Sequence, residues 1–195
     1  VSDQTELIKR VLGANFLALS LGKLSIEEDP GSTTTVRAKI SEGDQAPVDV
    51  EGKGVGVVDA LYNGLLDRYA REFQSLKTIQ LVKFAFAADM ESKKASAGVD
   101  AVGKVTIEIK NSEGRYFLFA HTSRSITTSS ACAVISAVQY FLNAERAFLT
   151  LYNARRDALQ RGREDLVSRY TAELSEVVKS TSYAEVIANI RKELG

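Results

Sequence analysis

The chain has 195 residues, 45% apolar and 26% charged, which suits one globular domain, or one domain with a helical extension, around a core of its own. Twenty-five Lys and Arg balance 25 Asp and Glu, so the basic excess expected of a nucleic-acid binder is missing. No apolar run reaches the ~20 residues that span a bilayer, no charged-then-apolar leader opens the chain, and a lone Cys132 in an apolar run reads as a small core residue in a reducing, cytoplasmic setting. Val1 in place of an initiator Met suggests an excised segment.

Leu7, Ile8, Val11 and Leu12 recur at helical spacing behind Ser2 and Asp3, which predicts a short opening helix. Phe16 to Ile26 is apolar but interrupted by Gly22, and reads as strand or helix. Asp29-Pro30-Gly31-Ser32 is a turn on composition. Val36, Ala38 and Ile40 alternate with Arg37 and Lys39 in a predicted strand, Thr34 to Ile40. Ser41-Glu42-Gly43-Asp44 is a hairpin loop, and Pro47 to Glu51 a second strand with Pro47 near its start or on an edge. Gly52-Lys53-Gly54-Val55-Gly56 is expected to break that strand. Val58, Leu61, Tyr62, Leu65, Leu66, Tyr69 and Phe73 then mark one face of a helix.

Thr78 to Phe86 is apolar on both faces, as a covered central strand would be. Glu91 to Gly103 reads as a loop. Lys104 to Lys110 alternates strictly, Asn111-Ser112-Glu113-Gly114 is a second hairpin loop, and Tyr116 to His121 a further strand. A corner at Thr122 to Ser125 leads into a helix carrying Val134, Ile135, Val138, Phe141, Leu142, Phe148, Leu149 and Tyr152. Val36 to Leu66 and Val105 to Ile135 thus share one layout about seventy residues apart. The predicted class is α+β: two β-β-β-α units, about 16–73 and 77–150, preceded by a short helix. They form one domain over 1–150, followed by a tail of two or three helices over 151–195. In the tail, Leu166, Tyr170, Leu174, Val177 and Val178 make an apolar stripe that must pack on something.

Three segments then carry a resemblance. They are Glu51 to Leu65 (EGKGVGVVDALYNGL), Gly98 to Gly103 (GVDAVG) and Ser125 to Val138 (SITTSSACAVISAV). In order and spacing, over about residues 33–143, they resemble the C-terminal regulatory domain of the α-isopropylmalate synthase and citramalate synthase family. The resemblance implies two pseudo-symmetric β-β-β-α units that dimerise and bind a branched-chain amino acid end product, leucine or isoleucine. It also implies control of an acetyl-CoA-dependent 2-oxo acid acyltransferase, in cis or in trans, with no catalysis, cofactor or metal in this domain. The family's catalytic barrel uses a histidine pair for its divalent metal, whereas this chain has only His121.

A zwitterionic ligand of that kind needs N–H donors for its carboxylate, an acceptor for its ammonium and a small apolar pocket. The two helix starts, Gly56–Asp59 and Ser125–Thr128, offer the donors, and Asp59, Asp100 or a loop carbonyl the acceptor. Carried over by resemblance, the effector-binding positions are Gly56, Val58, Asp59, Leu81, Phe84, Ala88, Asp100, Ala101 and Ile126. Val57 stands where the family commonly has proline, and Val55 where it often has asparagine. Each position also has a plainer reading. The glycines permit a tight turn, Asp59 complements a helix dipole, and Leu81, Phe84 and Ile126 fill a core. Ser123, Ser125, Thr127 and Thr128 read as caps, and His121 as a hydrogen-bonded structural residue. A dimerisation module of the same fold without an effector is the alternative.

Overall fold

The computed structural model describes residues 2–29, 31–88, 102–182, 188 and 192. The elements run α1 (Ser2–Leu12), β1 (Leu19–Glu28), β2 (Thr34–Glu42), β3 (Val48–Gly54), α2 (Val57–Tyr69), β4 (Gln80–Ala88), β5 (Gly103–Lys110), β6 (Tyr116–Ser123), α3 (Ile126–Gln160) and α4 (Glu164–Val177). Each set of three strands is an antiparallel meander, β1-β2-β3 and β4-β5-β6, followed by its helix. The two β-β-β-α units expected from the sequence are therefore present. α2 lies on the first sheet and α3 on the second, and the two helices pack on each other.

The duplication holds residue by residue. Thr34 pairs with Glu28 and Gly54, and Gly103 with Ala88 and Ser123, which are 69, 60 and 69 positions further on. The change from 69 to 60 reflects a connection between β4 and β5 nine residues longer than that between β1 and β2. Both first strands also carry a register shift at the same place, between Leu21 and Lys23 and between Leu81 and Lys83. Gly43 (φ 58°) and Gly114 (φ 79°) sit at the two hairpin turns in a backbone region that side chains disfavour.

Two expectations need correction. β4 is an edge strand, not a central one, because each meander puts its second strand in the middle. The bulge at Val82 explains the misreading. It breaks the alternation, so Leu81, Phe84 and Phe86 all pair with inward residues of β5 (Ile109, Ile107, Val105) and share their face. Similarly, β3 is not broken at Gly52 but continues to Gly54. A Cβ on Gly52 would lie 2.0 Å from Ala60 O and 2.6 Å from Gly64 N. These glycines let β3 and α2 touch backbone to backbone.

α3 is an unbroken helix of 35 residues that passes position 150 and ends at Gln160, so the extension begins inside a helix. Its buried face carries the core, including Phe141 in a T-shaped contact with Phe117 at 5.1 Å. Its buried Asn143 clamps the chain before β1: Leu17 N donates to Oδ1 at 2.9 Å and Nδ2 donates to Leu17 O at 2.8 Å. Gln139 adds an acceptor for Leu19 N at 2.7 Å. Replacing Asn143 by Leu keeps the branched shape but strands both backbone groups, so we expect a loss of about 2–4 kcal/mol. An unchanged urea midpoint for N143L would show the clamp to be dispensable.

Gly162 (φ 65°) turns the chain into α4, whose first turn holds Glu164 and Asp165 where the helix dipole favours them. Hydrogen bonding to Arg163 holds the Asp165 carboxyl at about 2, below its ordinary value. Four of the five residues of the predicted tail stripe pack on the core, Leu174 and Val177 buried and Tyr170 and Val178 against it, while Leu166 is half-buried. Glu173 joins α4 to α1 through Arg10 at 3.3 Å.

Candidate functional site: a cleft between the two helix starts

The two units are not tied together symmetrically. β1 packs along α3 and is fastened there by Asn143 and Gln139. On the other side Tyr62 of α2 donates to Ile79 O at 3.1 Å, just ahead of β4, and burial pushes the Tyr62 phenol up. Beyond that bond β4 makes little contact with α2, and an open cleft of about 450 Å³ lies between them. That is within the size range of small-molecule sites.

Gly56, Val57, Val58 and Asp59 of the α2 start line this cleft, with Leu81 and Phe84 of β4 and Ile126, Thr127 and Ser130 of the α3 start. Phe84 is 46% exposed and Ile126 48%, although both are large apolar side chains. Phe86 lies over Gly103, where a Cβ would come within 2.6 Å of its ring.

The two helix starts differ chemically. At α3, Ser125 Oγ accepts from Thr128 N at 3.2 Å, a side-chain cap. Ser123 Oγ reinforces that corner, 2.8 Å from Ser129 Oγ, and His121 Nδ1 lies 3.4 Å from the same hydroxyl. At α2 the N-cap is Gly56, which offers no side chain to the first-turn N–H groups, and the space where its Cβ would stand is empty. Asp59 folds back instead to accept from Val55 N at 3.0 Å. Its carboxylate thus serves the corner.

Of the positions carried over by resemblance, Gly56, Val58, Asp59, Leu81, Phe84 and Ile126 meet in this one cleft. Ala88 ends β4, its side chain outside those described. Asp100 and Ala101 lie outside the described residues. Sequence reasoning missed Ser130, and reached Val57 and Thr127 only as parts of the two helix starts, not as side chains lining the cleft. The duplication held the signal for the latter two, since Val57 is 69 positions before Ile126, and Val58 is 69 before Thr127.

Cys132 is half-buried rather than fully in the core, and burial pushes its thiol up. Among the described residues, no group of three or more His, Cys, Asp or Glu side chains is placed to hold a metal ion. Nor is any described helix long and apolar enough to cross a membrane.

No curated protein matches the chain. A family model does, over residues 2–142, spanning α1, both units and the first half of α3. With its duplicated β-β-β-α architecture and this match, the chain belongs to the LeuA allosteric (dimerisation) domain family, and its role is regulatory and dimerising.

Proposed function

We propose that the cleft binds a branched-chain amino acid end product, leucine or isoleucine. As a homodimer the chain then controls an acetyl-CoA-dependent 2-oxo acid acyltransferase of the α-isopropylmalate or citramalate synthase type, in cis or in trans. The observation that carries this reading is the convergence of both helix starts on one small, largely apolar cleft. The first turn of α2, with no side-chain cap, suits the ligand carboxylate. Asp59, shared with Val55 N, supplies an acceptor for the ammonium. Leu81, Phe84, Val58 and Ile126 supply an aliphatic pocket, in which one methylene changes affinity by about 1–3 kcal/mol.

Calorimetric titration with leucine, isoleucine, valine and lysine tests this. Binding of one branched-chain member is expected, weakened roughly tenfold or more by Phe84→Ala with the dimer intact. A folded dimer that binds none of the four would sink the proposal. The second reading, a dimerisation module with no effector, draws on the structural use already made of Asp59. It expects a melting temperature indifferent to every amino acid, since a ligand specific for the native state must raise it.

A further inference from the structure

The two units close the turn ends of their sheets with different partners. In the first, Glu42 at the end of β2 accepts from Tyr69 Oη at 2.7 Å and Arg68 Nη2 at 3.2 Å, both on the unit's own helix. The matching position 69 residues on is Asn111, directly after β5. There α3 presents Ala137 and Val138 in place of Arg68 and Tyr69, and neither side chain can donate.

The missing partner comes from the C-terminal extension, beyond the residues matched by the family. Asn111 Oδ1 accepts from Glu113 N and Arg115 N within its own turn, while its Nδ2 donates to Thr181 O at 3.0 Å. Ser112 N donates to Ser182 Oγ at 2.9 Å. That hydroxyl lies 2.7 Å from Thr78 Oγ1, which also hydrogen-bonds Ser182 O. Ser180, Thr181 and Ser182 are all fully buried. Thr78 stands two residues before β4 and three before Leu81, so this strap grips the root of the strand that walls the cleft.

We propose that the strap 178–182 positions β4, with Thr78 and Ser182 as its positioning residues, so that the C-terminal extension sets the shape of the cleft. The geometry favours this because β4 is an edge strand lying away from α2, with Phe84 and Phe86 46% and 45% exposed. Strand β4 is paired along one side alone, by β5, and at its root the strap adds to the hydrogen bond from Tyr62 to Ile79 O. The consequence for ligand affinity rests on the function proposed above; the positioning itself does not.

The test compares full-length Thr78→Val, Ser182→Ala and Thr78→Ser with the parent chain. Thr78→Val keeps the shape and removes the hydroxyl, whereas Thr78→Ser keeps the hydroxyl. Amide hydrogen exchange within 82–86 should quicken about tenfold or more in T78V and S182A, stay near the parent rate in T78S, and leave β1 and β2 unchanged. Equal acceleration in both units, or none in β4, would overturn the proposal. Where the parent binds leucine or isoleucine, T78V should bind it about tenfold more weakly; a loosened β4 with unchanged affinity would overturn the link to the cleft. A parent that binds none of the four amino acids sinks the effector reading, and the exchange pattern still decides the strap.

Discussion

Gly52→Ala should cost the chain about 3 kcal/mol or more, a large share of the ~5–15 kcal/mol that holds a domain together. The added methyl would meet Ala60 O at 2.0 Å and Gly64 N and Cα at 2.6 and 2.8 Å, all backbone atoms of α2. No side chain can rotate away. Relief requires prising α2 from β3, and with it the buried Leu61, Leu65 and Tyr69. Gly56→Ala is the control, because its Cβ would meet nothing and its extended backbone (φ −162°, ψ 179°) suits alanine. A change of about 1 kcal/mol or less is expected there. Urea unfolding of the two variants reads the difference, and equal midpoints would refute the backbone-contact account of Gly52.

Glu145→Ala should cost a similar amount for an electrostatic reason. Glu145 is a buried carboxylate on α3 that accepts from Gln74 N at 3.0 Å, Ser75 N at 2.8 Å and the Ser75 hydroxyl. These donors open the 3-10 turn Gln74–Lys77, which carries the chain from α2 towards β4. Truncation strands them, at about 1–3 kcal/mol for each buried group, so about 3–4 kcal/mol in total is expected. Glu145→Gln retains one carbonyl acceptor and should lose roughly half as much. Thermal unfolding with residue-resolved exchange would check both, the fastest exchange appearing at 74–76. A Glu145→Ala protein as stable as the parent would mean that water replaces the carboxylate.

Both sites show why some of this fold was legible in the sequence and some was not. Strict alternation in Lys104–Lys110 and the glycine-bearing hairpin loops set the meanders, since period and turn chemistry are local. The edge position of β4 was not legible, because one bulged residue at Val82 disguises which apolar side chains share a face. Gly52 and Gly54 read as strand breakers because a glycine looks the same whether it frees a turn or admits a neighbouring backbone. The strap was the least legible feature. Ser180-Thr181-Ser182 reads as a polar break between helices, yet its partners lie 70 and 104 residues away. The candidate site falls between these cases. Its helix starts have local signatures, while the gap that leaves β4 apart from α2 depends on which unit is tied more firmly.

α3 begins at the cleft and ends in the extension. At 1.5 Å per residue its 35 residues make a rod about 52 Å long. Ile126, Thr127 and Ser130 stand at one end; α4 packs back along the other. A tilt of about 2° about the cleft end would carry the far end by roughly 2 Å. That is more than half a hydrogen-bond length. Any rotation of α3 at its first turn would therefore be felt most at the α4 end, on a surface outside the cleft.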